Sequence, residues 1–139
     1  AVIGGIVGIV VGTVVVSAFG SLAMVTSVLV SPDGNYEYEA AHGTVTRHYY
    51  KYLKGEETST NPIATIFAWS GALRKRGEKD HLPQLQAFAD HLETASLDVI
   101  REGTMTGDLC QLWEKGTPKK VSSSAFLDAI AAKLHGIYA

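Results

Sequence analysis

Glu39-Ala40-Ala41-His42-Gly43-Thr44-Val45-Thr46-Arg47-His48-Tyr49-Tyr50, followed by Lys54-Gly55-Glu56-Glu57-Thr58-Ser59-Thr60-Asn61-Pro62, is the stretch from which the rest of the chain can be read. Ahead of it Tyr36, Tyr38 and Ala40 alternate with Glu37, Glu39 and Ala41, which predicts a short strand. Gly43 breaks the strand, and the pattern turns helical from Arg47 to Leu53. A strand, a glycine and a helix start leave backbone N–H groups where an anion can sit. Two hydroxyls (Thr44, Thr46), the Arg47 guanidinium and the His48 imidazole gather at that spot. Arginine grips phosphate through a planar fork of donors, so one reading is a phosphate-bearing ligand. The other is a polar turn that caps a helix, and the residues alone leave both open.

A longer pattern surrounds this stretch. Ala40-Ala41-His42-Gly43-Thr44-Val45-Thr46-Arg47-His48-Tyr49, then Glu57-Thr58-Ser59-Thr60-Asn61-Pro62-Ile63-Ala64 and Ile66-Phe67-Ala68-Trp69, resembles the NADP-dependent isocitrate dehydrogenases of the eukaryote-like homodimeric branch, which has bacterial members too. The resemblance runs back through Gly20-Ser21-Leu22 and Thr26-Ser27-Val28-Leu29-Val30 and forward, more loosely, to about Leu109. It implies an α/β fold, the C-terminal part of that family's large domain, with a buried hairpin flanked by helices. It implies that Gly43, Thr44, Val45, Thr46, Arg47 and His48 wrap the adenosine ribose of NADP, with Arg47 and His48 at its 2′-phosphate. Asn61 would meet the adenine, and Glu39 and His42 would lie beside the cofactor. Family members are homodimers that oxidise isocitrate with NADP⁺ and decarboxylate it to 2-oxoglutarate with Mg²⁺ or Mn²⁺. Their catalytic Tyr and Lys, and the residues that bind isocitrate, lie upstream of the part this chain resembles.

Outward toward the N-terminus, Pro32-Asp33-Gly34-Asn35 is a turn signal and Thr26 to Val30 reads as a buried β-branched strand, so the two strands form a hairpin. Residues 1–32 carry no charge, and residues 1–18 are built from Ala, Val, Ile, Gly, Thr and Ser alone. A run of this kind is a membrane-span candidate or a buried element, and no basic residues precede it as in a signal peptide. Set on the family's pattern, Ile9 and Thr13 occupy the places of two metal-binding aspartates. Neither can replace a carboxylate at a hard-cation site, so this sequence carries no metal ligand there. The resemblance predicts Asp at both positions in the native polypeptide and further chain before Ala1.

Outward toward the C-terminus, Asn61 is a strong N-cap and Pro62 suits the first helical position. Ile63, Ile66, Phe67, Ser70 and Leu73 mark a helix expected to close at Arg74-Lys75-Arg76 before Gly77, cations that suit a solvated helix end. Leu85, Phe88, Ala89, Leu92, Ala95, Ser96 and Val99 share one face of a helix over residues 82–102, which Gly103 ends. Thr106 opens a short turn. Residues 116–124 read as a linker, and one of Ser122 to Ser124 caps a last helix bearing Phe126, Leu127, Ile130, Ala131, Leu134 and Ile137. The 139 residues thus read as one partial domain: a segment at 1–18, a cofactor-binding core at 19–115, the linker, and a helix at 125–139.

Twelve basic against fourteen acidic residues argue for neither nucleic acid nor an anionic membrane surface. One cysteine, Cys110, forms no intrachain disulfide, reads as a small apolar residue, and fits a reducing compartment. With the resemblance that means cytoplasm, or mitochondrial matrix in a eukaryote. Two readings of other classes stand beside the enzyme: a non-catalytic nucleotide-binding or interaction module, and a domain anchored by the apolar run.

Overall fold

A computed structural model describes residues 24–43 and 45–139. The apolar run, positions 9 and 13, and Thr44 lie outside the described residues. Within them the order is β1 (Thr26–Val30), β2 (Tyr36–Ala40), α1 (Thr46–Leu53), α2 (Ile63–Lys79), α3 (Pro83–Arg101), β3 (Thr104–Met105), α4 (Gly107–Cys110), β4 (Lys119–Lys120) and α5 (Ser123–Tyr138). Among the described residues no helix is long and apolar enough to cross a membrane. The chain divides into two compact units, one of residues up to His42 with Ala64–Ala89, the other of Gly43–Ile63 with Asp90–Ala139.

The first unit is built on the expected hairpin. β1 and β2 are antiparallel, with Val28 opposite Tyr38 and Ser27 opposite Glu39. Pro32 and Gly34 shape the turn. Gly34 takes φ +77°, a conformation L side chains rarely adopt, and its N–H donates to the Ser31 carbonyl at 2.9 Å. Burial is graded along the hairpin rather than uniform. Met24 and Val25 are buried, whereas Leu29 and Val30 near the turn are exposed. Helix α2 turns Ala64, Phe67, Ala68 and Ser70 inward, while Ile66 and Leu73 of the expected face are only half-buried. It lies against β2 because Gly71 has no side chain: a Cβ there would stand 2.9 Å from the Tyr38 ring.

The sequence places the end of α2 before Gly77, but the helix runs on to Lys79. Gly77 is not a stop signal. It is buried, and a Cβ would come within 3.0 Å of the Leu82 carbonyl and 2.8 Å of Gln86. The glycine lets the start of α3 approach closely. The Leu82 N–H donates to the Gly77 carbonyl at 2.8 Å, and His81 makes the corner at φ 57°.

The second unit packs Ile63, Ala95, Val99, Ile100, Met105, Leu109, Phe126 and Ile130 inside. Phe126 and Ile63 are fully buried, and truncating such side chains costs about 2–5 kcal/mol each. Gly103, at φ +86°, ends α3 and frees the chain to run into β3. The stretch read as a linker is partly ordered: β4 lies inside it, parallel to β3, with Lys119 N–H on the Gly103 carbonyl at 2.7 Å and Val121 N–H on the Met105 carbonyl at 3.0 Å. The missing signal is length, since two-residue strands leave no periodicity to read.

Ser122 is the cap of α5, its hydroxyl accepting from the Ala125 N–H at 3.3 Å. Only Phe126 and Ile130 of the expected apolar face are buried; Leu127 and Ile137 are exposed. The far end of α5 is tied to α3. His91 Nδ1 lies 2.9 Å from the Tyr138 hydroxyl, the rings meet edge to face, and Lys133 pairs with Glu102. Cys110 is half-buried.

Candidate functional site

The loop after β2 delivers the residues singled out by the sequence. Helix α1 begins at Thr46, one residue before the expected start. Its cap residue, Val45, offers no side-chain acceptor, and no acidic residue stands in the first turn. The positive end of the helix dipole therefore faces the loop with no carboxylate to offset it. Arg47 lies in this first turn and is exposed. Among the described residues its side chain makes no hydrogen bond or ion pair.

His48 is half-buried, and its Nδ1 is 2.7 Å from the Thr60 hydroxyl. If Thr60 donates, Nδ1 accepts and the neutral ring carries its proton on Nε2. The contact fixes the ring, and in that tautomer Nε2 is a donor. Gly43 is exposed, takes no positive φ, and a Cβ there would meet nothing within 4 Å. Neither backbone conformation nor packing within the described chain calls for a glycine.

Asn61 sits on the segment ahead of α2. Its Oδ1 accepts from the Ile63 N–H at 2.9 Å, the capping bond predicted from the Asn-Pro pair. Its Nδ2 donates to Asp108 Oδ2, also at 2.9 Å. Asp108 in turn accepts at Oδ1 from the Thr106 hydroxyl at 2.6 Å. Thr106 thus stands at the cap position of α4 but turns its hydroxyl to this carboxylate. Residues 58–60 are stitched to the start of α5: Thr60 N–H donates to Ser123 Oγ at 2.7 Å, Ser123 N–H to the Thr58 carbonyl at 2.9 Å, and Ser59 Oγ to the Val121 carbonyl at 2.6 Å. The Gly107 N–H adds a bond to Ser59 Oγ at 3.0 Å.

Within the second unit the structure therefore joins His48 to Thr60 and Asn61 to Asp108. In the first unit Glu39 spends its Oε1 on the Ser27 hydroxyl, 2.6 Å away across the ladder, and His42 is exposed at the end of the hairpin. The sequence reading gives Thr60 and Asp108 no role at the site and Ser123 only a place among the candidate caps of the last helix. Thr60 is recognisable only once α1 is folded back toward it, and the other two lie far along the chain from their partners. Among the described residues no group of three or more His, Cys, Asp and Glu side chains could hold a metal.

A family model for isocitrate/isopropylmalate dehydrogenases matches residues 5–130. The chain is 54% identical over 126 residues to the mitochondrial NADP isocitrate dehydrogenase of Saccharomyces cerevisiae, covering 87% of this chain and 29% of that protein. It is 44% identical over 124 residues to the cytoplasmic NADP isocitrate dehydrogenase of the same yeast, covering 87% of this chain and 30% of that one. It is 48% identical over 123 residues to NADP isocitrate dehydrogenase 1 of Mycobacterium bovis, covering 86% and 29%. The chain thus spans about three-tenths of the length of these relatives. The α/β elements and the match over most of its residues agree: this chain belongs to the isocitrate/isopropylmalate dehydrogenase family.

Proposed function

We propose that this chain forms the adenosine side of the NADP site in an oxidoreductase that converts isocitrate to 2-oxoglutarate. The observation that carries the reading is the first turn of α1: an exposed Arg47, a His48 ring fixed by Thr60, and no acidic side chain or side-chain cap. A doubly charged phosphate is the ligand such an end favours. Arg47 meets the 2′-phosphate through its fork, and His48 donates to it from Nε2. The backbone from Gly43 to Thr46 follows the ribose, with Thr44 and Thr46 supplying hydroxyls. Gly43 leaves room for that approach.

Asn61 meets the adenine on this reading, and Asp108 orients its carboxamide. Glu39 and His42 flank the cofactor. When bound, NADP⁺ supplies the hydride acceptor; these residues only bind it and set its position. Mg²⁺ or Mn²⁺, the isocitrate pocket and the second copy of a homodimer belong to the same proposal. No described residue is assigned to any of them.

Replacing Arg47 with Ala tests this directly. It removes a charge-assisted contact of about 1.5–3 kcal/mol, which is roughly tenfold or more in NADP⁺ affinity. NAD⁺ affinity should stay as it was. Equal losses for both cofactors would refute the 2′-phosphate assignment.

A further inference from the structure

Two of the three cations read from the sequence as a solvated helix end, Lys75 and Arg76, stand together with Lys79 along a groove. Lys75, Arg76 and Lys79 line an open groove of about 220 Å³ with Asn35, Tyr36, Tyr38 and Ala72, all in the first unit. The Lys75 and Lys79 ammoniums lie 4.8 and 5.1 Å from the centroid of one ring, that of Tyr36. Their separation is therefore no more than the two distances end to end, comparable with the screening length of about 8 Å at physiological salt. Two like charges this close repel each other, and Glu78, paired with Lys75, offsets only part of that.

The groove is also organised in advance. Lys79 Nζ donates to the Gly34 carbonyl at 2.8 Å, Lys75 Nζ donates to Glu78 at 2.6 Å, and Arg76 Nε donates to Asp80 at 2.6 Å. Each cation spends a donor on holding its position and keeps others, since an ammonium has three and a guanidinium five. Glu78 and Asp80 offset part of the charge, but both pairs are solvent-exposed, and such pairs yield readily to a stronger anion. Glu37 falls on the other face of β2 by alternation, and Asp33 is exposed in the turn. One water needs about 10–15 Å³ of such space, so a groove of about 220 Å³ takes a ligand well beyond a single water.

We propose that this groove is an anion site, built from different residues than the Arg47 loop, that takes a small molecule bearing two or more phosphate or carboxylate groups. It does not depend on the cofactor reading. The test is to titrate the full-length protein with pyrophosphate and, separately, with tricarballylate, at ionic strength held constant with chloride. Heat and the NMR signals of the Tyr36 ring are followed together. At least one probe should bind saturably and shift Tyr36, and the probe that binds tells phosphate from carboxylate. The Lys75→Gln/Lys79→Gln double variant should bind about tenfold more weakly or worse. Tyr36→Leu, which removes the ring gathering both ammoniums, should lose roughly two- to fivefold. Arg47→Ala should bind as wild type. No saturable binding of either probe overturns the proposal. So does unchanged binding by the double lysine variant while its melting temperature matches wild type, or loss of binding in Arg47→Ala alone.

Discussion

Helix α1 and the segment from Thr58 to Asn61 carry the two halves of the candidate cofactor grip, yet they are held in opposite ways. Helix α1 has eight residues and none is buried; Tyr49, Tyr50, Tyr52 and Leu53 are all more than half exposed. A helix this short is marginal in water without tertiary support. Its described side-chain tether is the His48–Thr60 contact. The neighbouring segment, by contrast, is sewn in by Ser59, Ser123 and the Asn61–Asp108 bond. The contrast separates binding from stability. Charge on α1 can be changed with little effect on folding, whereas the stitched segment holds its unit together and sets where α1 is anchored.

The comparison can be broken most forcefully from the core beneath the stitches. Phe126→Ala, at a fully buried side chain, should cost about 3–5 kcal/mol in denaturant unfolding. A loss below about 1 kcal/mol would mean that α5 does not anchor this unit. Next in size is Ser123→Ala, which leaves the Thr60 N–H without its acceptor. About 1–3 kcal/mol of stability should be lost, and hydrogen exchange at Thr60 should speed up. On the other side of the comparison, Tyr52→Ser on α1 should fall within about 0.5 kcal/mol of wild type. If the two variants cost the same, the distinction between the regions fails.

A smaller effect sharpens the account of the first unit. Burial raises the Tyr38 phenol above its ordinary 10.0, with Lys75 opposing part of the rise. The folded chain then holds this proton longer than the unfolded chain does. Its contribution is complete below the unfolded value and is lost as pH rises through the folded one. Wild type should therefore lose stability more steeply than Tyr38→Phe above pH 10.0. Parallel curves would place Tyr38 in water.

Local signals carried much of this into view before the fold was seen. The hairpin and the Asn61 cap each depend on residues a few positions apart, and both formed, with burial graded along the hairpin instead of complete. Gly77 did not follow its local signal. Cations followed by a glycine look the same whether a helix ends or a second helix packs closely, and only Leu82 and Gln86 in three dimensions decide it. Asp108 and Ser123 act through contacts 47 and 63 residues away. Their types, an acid in a turn and a serine in a serine run, are what any surface loop contains. The parallel pairing of β3 with β4 was hidden for a similar reason: each strand has two residues, too few for a pattern.

The central claim is that the turn from Gly43 to His48 selects for a phosphate on the ribose 2′ position. Comparing the affinities of the full-length protein for 2′,5′-ADP and 5′-ADP tests it with the nicotinamide half and the substrate site left out. The two ligands differ only in the group assigned to Arg47 and His48. One charge-assisted contact of about 1.5–3 kcal/mol predicts that 2′,5′-ADP binds at least about tenfold more tightly, an advantage that Arg47→Ala erases. Equal affinity for the two nucleotides in the wild-type protein would contradict the account.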